Sequence, residues 1–230
     1  MKIIILGTRG EIKASAPYHS KRSGVLIDNK ILIDCGDKRF LQYNPTYILI
    51  THLHPDHAYF VRKHEVPDTH ASIYAPEKYD QADIQVTNKK FKIGTYTITP
   101  IPTIHSIYVK SNAYIIEHNG KRILYTGDMI WIEKKYQKKI GKLDLVITEA
   151  SFMRKGGMVR RQKDTGKIYG HTGVPNLINL FKKHTDTILF MHFGTWFYKD
   201  IKKARQEFHK LAQENNIHII VGYDGLEVKV

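Results

Sequence analysis

The sequence predicts an α/β fold in which two sheets pack together and helices cover their outer faces. Short β-branched runs separated by turn residues recur along the whole chain, and amphipathic helical periods interleave with strands in its second half. At 230 residues with 42% hydrophobic content, the chain can bury a substantial core as one domain, residues 1–230. No internal repeat, low-complexity segment or linker divides it.

Taken in order, the strand signals fall at Lys2 to Leu6, Gly24 to Ile27, Ile31 to Ile33, Tyr47 to Ile50, Tyr96 to Ile101, Asn112 to Glu117 and Arg122 to Tyr125. The second half adds strands at Asp144 to Thr148, Thr187 to Met191 and Ile217 to Val221, with helices expected over Val174 to His184 and Lys199 to Asn215. In the last of these Ile201, Ala204, Phe208, Leu211 and Ala212 share one helical face, which is core packing.

The opening run Met1 to Leu6 stops at Gly7, too short for a signal peptide or a spanning helix, and no later apolar run is long enough. A soluble, cytoplasmic protein with no membrane partner is expected. The single cysteine, Cys35, excludes an internal disulfide and reads as a packed strand-end residue. A formal charge of +14 points to a phosphate-bearing partner, because a positive field concentrates anions; the alternative is a solvated lysine surface.

The densest chemistry lies in Thr51-His52-Leu53-His54-Pro55-Asp56-His57, directly after the apolar run Tyr47 to Ile50. In an extended segment residues two apart share a face, so His52 and His54 can grip one cation while Asp56 and His57 turn toward another. Imidazole and carboxylate suit zinc and its first-row neighbours, and a catalytic site keeps a coordination position open.

These residues carry a resemblance to the metallo-β-lactamase superfamily. His105 in Thr103-Ile104-His105-Ser106 resembles its third ligand motif, Asp128 in Tyr125-Thr126-Gly127-Asp128 its bridging carboxylate, and His192 in Met191-His192-Phe193-Gly194 its last ligand. The resemblance implies a four-layer αβ/βα sandwich with two divalent metal ions at one edge, zinc first, with manganese or iron also compatible. His52, His54 and His105 would hold one ion, Asp56, His57 and His192 the other, and Asp128 would bridge them. Such a pair activates water as the nucleophile.

Within the superfamily the chain is most similar to the ribonuclease Z-like phosphodiesterase branch. Glu149-Ala150-Ser151-Phe152 resembles that branch's Glu-Ala-Thr-Phe segment, and Gly170-His171-Thr172-Gly173 its His-Ser-Thr motif. By that resemblance His171 is the acid that protonates the leaving oxygen and Glu149 orients it; the alternative is a helix start beside a Thr172 cap. Relatives of the branch are often dimers, so a homodimer is one arrangement it implies. The basic stretch from Met153 to Lys167 reads either as a lid whose Arg154, Arg160, Arg161 or Lys163 closes on phosphate oxygens, or as a flexible solvated connection.

Three departures bear on substrate. The long glycine- and proline-rich arm that grips tRNA is not recognisable, Phe193-Gly194-Thr195-Trp196 replaces a segment ending in Arg-Tyr, and Gly7-Thr8-Arg9-Gly10-Glu11-Ile12 lacks the usual Ser-rich form. The expected function is therefore a dinuclear-metal phosphodiesterase acting on a cyclic nucleotide, cyclic phosphate or RNA phosphodiester. Two alternatives stay open: a lactone or thioester hydrolase of the same fold, and a non-catalytic nucleic-acid-binding module. His19, in the loop after the first strand, reads as a surface residue, with contact to substrate as the alternative.

Overall fold

The computed structural model describes residues 1–230. The first sheet sets β1 (Lys2–Gly7), β2 (Gly24–Ile27), β3 (Ile31–Ile33), β4 (Tyr47–Leu49), β5 (Ser72–Ala75) and β6 (Ile84–Val86) side by side in chain order. The second holds β7 (Phe91–Ile93), β8 (Tyr96–Pro102), β9 (Asn112–His118), β10 (Lys121–Tyr125) and β11 (Leu145–Ala150). A separate hairpin, β12 (Met158–Arg161) and β13 (Ile168–His171), follows; β14 (Thr187–Phe193) and β15 (His218–Val221) then complete the second sheet, and β16 (Glu227–Lys229) pairs with β1 at the edge of the first. The helices are α1 (Tyr59–Lys63), α2 (Lys134–Gln137), α3 (Val174–Phe181), α4 (Thr195–Lys199) and α5 (Ile201–Asn215).

Strand alternation builds four layers from this order. Ile3, Ile5, Ile31 and Ile33 face Ile98, Ile116, Ile123 and Leu189 in a core between the sheets. Leu26, Leu32 and Ile48 turn outward to meet Phe40, Tyr59 and Phe60. On the far side Leu124, Val146 and Phe190 pack under Leu177, Phe181 and Phe208 of α3 and α5. Apolar residues therefore run almost continuously along the central strands, as expected where both faces are covered. The fold is the metallo-β-lactamase sandwich.

Several elements differ from expectation. The helix expected over Lys199 to Asn215 divides at Asp200, whose extended backbone (φ −160°, ψ 95°) interrupts the turn while its carboxylate accepts the Lys203 N–H at 2.9 Å. It thereby caps α5. The helix expected to reach His184 ends at Phe181. The strands β5, β6, β7 and β16, three or four residues long, add to those expected.

The basic stretch from Met153 to Lys167 is not a structureless connection. Its second half enters the antiparallel hairpin, with Met158 opposite His171, Arg160 opposite Tyr169 and Arg161 opposite Ile168. Each step along a strand carries a residue about 3.3 Å farther on. Met158 thus stays beside His171, whereas Arg160 and Arg161 move away from it and Lys163 lies in the turn.

Candidate metal centre

Five segments converge at one edge of the sandwich. His52, His54, Asp56 and His57 lie in the loop between β4 and α1, His105 follows β8, Asp128 follows β10, His171 ends β13, and His192 sits within β14. Gly127 makes the turn that presents Asp128: its φ is +58°, and a Cβ there would stand 2.6 Å from Thr51 Oγ1.

His192 owes its position to a bulge. Glu149 pairs with Met191 and Ala150 with Phe193, so His192 is the extra residue of β14, at φ +53°. A bulge re-aims a side chain, and the left-handed backbone is a local strain that the surrounding pairing sustains.

The potential ligand atoms form overlapping groups. Those of His52, His54 and His105 lie within 4.8 Å of one another, as do those of Asp56, His57, Asp128 and His192. Asp128 faces both: Oδ1 is 3.2 Å from His57 Nε2 and 3.3 Å from His192 Nε2, while Oδ2 is 3.9 Å from His52 Nε2 and 3.8 Å from His105 Nε2. Asp56 Oδ2 stands 3.7 Å from His192 Nε2.

The donor set fits divalent cations. His52 Nε2, His57 Nε2 and Asp128 Oδ1 are buried with no hydrogen-bond partner, and buried polar atoms are rarely left so without a ligand. The opposite nitrogens are held by the protein, which fixes the rings as in known metal sites. His57 Nδ1 bonds Asp34 at 2.6 Å, His192 Nδ1 bonds Ser23 Oγ at 2.7 Å, His52 Nδ1 bonds Thr51 Oγ1 at 3.0 Å, and His105 Nδ1 donates to the Gly170 carbonyl at 2.9 Å.

Electrostatics separate the groups. Burial, then neighbouring imidazoles, holds His52 well below the ordinary range and brings His54 down to about 4; burial also lowers His105. His57 goes the other way: burial pushes it down, but Asp128, Asp34 and Asp56 outweigh burial and raise it. Burial would raise Asp128, yet His192 and His57 hold its carboxyl well below the usual range. A bound cation would supply the positive charge that protonated imidazoles provide there.

Asp34 is a residue the sequence reading passed over. It is fully buried and accepts the Thr51 N–H at 2.8 Å, the Tyr125 hydroxyl at 2.9 Å and His57 Nδ1. Its signal was available: a carboxylate ending the apolar run Ile31 to Ile33.

Beside the ligands, His171 Nδ1 lies 2.8 Å from Glu149 Oε2, and Glu149 Oε1 also accepts the Met129 N–H at 2.7 Å. Burial pushes His171 down, but Glu149, with Asp128 and Asp56, outweighs it and raises the imidazole to about 9. His171 ends a strand, and the N-cap of α3 is Gly173, with no side-chain cap from Thr172.

A cavity of about 370 Å³ opens onto His54, Asp56, Asp128, His171 and His192, walled by Ile12, Phe152, Met158 and Trp196. None of Arg154, Arg160, Arg161 and Lys163 lines it. All four are exposed; Arg161 donates to the Gly166 carbonyl at 2.7 Å, and the Arg154 guanidinium lies 5.9 Å from the Phe152 ring centre.

His19 is likewise not a surface residue. It is 3% exposed, bonded to Thr8 Oγ1 at 3.0 Å and packed edge-on against Phe197. Burial, with Arg205 nearby, lowers it to about 4.

Fold and side-chain geometry together define a metallo-β-lactamase-type domain with adjoining groups of His and Asp side chains that could hold metal ions. The family profile described as the beta-lactamase superfamily domain matches residues 29–193, and the chain belongs to that superfamily. Among curated proteins none matches. Among solved structures, the metallo-beta-lactamase fold protein YhfI from Bacillus subtilis is 18% identical, with a TM-score of 0.70 over 99% of this chain and 98% of its own. A diphosphatase of the PhnP family is 15% identical, TM-score 0.69, over 99% and 97%. The short form of human tRNase Z is 18% identical, TM-score 0.65, over 100% and 99%. No helix of the chain is long and apolar enough to cross a membrane.

Proposed function

We propose that the chain is a metal-dependent hydrolase of the ribonuclease Z-like branch that cleaves a phosphodiester in a cyclic nucleotide, a cyclic phosphate or an RNA end. The observation that carries this reading is the Glu149–His171 pair at 2.8 Å, set against Asp128 and opening onto the cavity. The fold it shares with the PhnP-family diphosphatase and with tRNase Z, both named for phosphate chemistry, supports the same choice.

His52, His54 and His105 would hold one divalent cation, Asp56, His57 and His192 the other, and Asp128 would face both. When bound, such a pair lowers the pKa of water and neutralises charge developing on phosphoryl oxygens. The protein's own part is to place and charge His171. Its Nδ1–H is held by Glu149, which leaves Nε2 to give a proton to the leaving oxygen. Glu149 is itself fixed by the Met129 N–H, so the imidazole has one orientation. The Glu149 carboxylate, which is outside the ligand set, favours a protonated His171.

The cavity holds no lysine or arginine and one carboxylate, Glu11, outside the ligand set. That composition suits a diester with a single negative charge better than a polyphosphate. It also favours a second reading, a lactone or thioester substrate, whose carbonyl needs no cationic side chain.

Hydrolysis of bis(p-nitrophenyl) phosphate separates the two. Protein stripped with chelator and reloaded with manganese or zinc is expected to turn it over, with Asp128→Ala as the blank. No turnover by protein carrying two bound metals would transfer the assignment to the carbonyl substrates.

A further inference from the structure

In the segment Phe193-Gly194-Thr195-Trp196, in which the chain departs from ribonuclease Z, the last three residues are built into the wall of the cavity. Gly194 passes so close to Ser151 that a Cβ there would lie 2.1 Å from the Ser151 carbonyl oxygen. This approach delivers Trp196 beside the Ala150–Phe152 segment, where its Nε1–H donates to the Ala150 carbonyl at 2.9 Å. The indole is further set by edge-on contact with Phe197, 5.7 Å between ring centres. Trp196 is thus a rigid, half-buried aromatic surface on the cavity, with Phe152 lining it too, 6.0 Å from His171.

Within the same wall Ser151 Oγ is buried without any hydrogen-bond partner, although the residue is only 9% exposed. A buried hydroxyl in this state is open to a partner from outside the chain, a water or a ligand. Ser151 also lines the cavity. Apolar faces with an orphan hydroxyl, and no lysine or arginine, select by shape and a few polar contacts rather than by attraction to anionic charge. The volume of about 370 Å³ is near the lower end for small-ligand sites and can take one nucleotide.

We infer that Trp196, Phe152 and Ser151 form a subsite for one nucleobase of the substrate: the ring rests on the aromatic wall and a ring heteroatom pairs with the Ser151 hydroxyl. The inference rests on the phosphodiesterase reading and narrows it to diesters in which a nucleoside adjoins the scissile phosphate. Base–aromatic stacking is sequence-tolerant, so purines and pyrimidines both enter, purines more tightly for their larger face.

The test is binding of adenosine 5′-monophosphate and of ribose 5-phosphate to the metal-loaded protein, by calorimetry, with wild type, Trp196→Leu, Trp196→Phe and Ser151→Ala. The nucleotide is expected to bind about tenfold or more tightly than the sugar phosphate. Trp196→Leu should erase most of that preference, Trp196→Phe should retain it, and Ser151→Ala should weaken the nucleotide about threefold to tenfold while leaving the sugar phosphate unchanged. In a Trp131→Phe background, the nucleotide should also quench the remaining indole emission. Equal binding of the two ligands, or a preference that survives Trp196→Leu, overturns the subsite. If that happens while bis(p-nitrophenyl) phosphate is still hydrolysed, the phosphodiesterase reading stands and only the subsite falls. If neither ligand binds and the diester is inert, both fall together.

Discussion

The two ligand groups are unlike in charge and in how they are braced. His52, His54 and His105 are imidazoles that burial favours as neutral rings, and their outer nitrogens rest on uncharged partners, Thr51 Oγ1 for His52 and the Gly170 carbonyl for His105. Asp56, His57 and His192 form a group with Asp128 that includes two carboxylates, and a third, Asp34, supports His57 from behind. Three neutral nitrogens suit a borderline ion such as zinc, while the carboxylate-bearing group also accommodates harder ions such as manganese. The difference teaches that the two positions need not share affinity or selectivity, and that Asp128 couples them.

Removing the shared element should have the largest effect. Asp128→Ala is expected to abolish diester hydrolysis and to lower metal content at both positions, read by elemental analysis of dialysed protein. If it depleted one group only, Asp128 would belong to that group alone.

Next in size is His171→Ala, which belongs to neither group. It should keep its full metal content and lose about 10²- to 10⁴-fold in rate on a diester with a poor leaving group, with a much smaller loss when the leaving group is p-nitrophenolate. An equal loss on both substrates would contradict proton donation to the leaving oxygen.

Asp34→Asn sharpens the contrast between braces. Affinity at the Asp56–His57–His192 position should fall by about 10- to 100-fold, while the three-imidazole position should change little; competition with a metal-sensitive dye would resolve the two.

The smallest effect lies outside both groups. His19 is held at about 4 in the fold against an ordinary imidazole value of 6.5, so the unfolded chain takes up its proton first as pH falls. Its contribution to stability is therefore present above about pH 6.5 and is lost progressively toward pH 4. His19→Gln should flatten that part of the acid profile in urea unfolding at pH 7, 5.5 and 4.5. An unchanged profile would mean that other groups dominate it.

The potential ligands were legible because each follows or ends a run of apolar residues, and a polar, metal-seeking side chain at such a place has few structural reasons to be there. His171 and Glu149 were legible only through resemblance. The hairpin was not, since Met158 to Arg161 bury almost nothing and acquire their order from pairing with Ile168 to His171. The pairing also carries Arg160 and Arg161 away from the cavity, which none of Arg154, Arg160, Arg161 and Lys163 lines: charge in a sequence says nothing of distance along a strand. The cavity wall was unreadable for another reason. Ile12, Phe152, Met158 and Trp196 come from four separate segments, each ordinary when taken alone. His19 looked exposed because it lies in a loop, yet Phe193 and Phe197 reach it from the far end of the chain.

The ligand groups also straddle the sandwich. His52, His54, Asp56 and His57 belong to the first sheet's loops, while His105, Asp128 and His192 belong to the second sheet, and Asp34 already reaches across to Tyr125. A cation gripped from both sides would act as a rivet between sheets in a chain whose lone cysteine can form no internal cross-link. Its grip would be adjustable: free metal at about a hundred times its dissociation constant adds about 2.7 kcal/mol to stability. For a chain of this length that corresponds to a melting temperature higher by about 5–10 °C. Thermal resistance would then follow the metal supply of the surroundings.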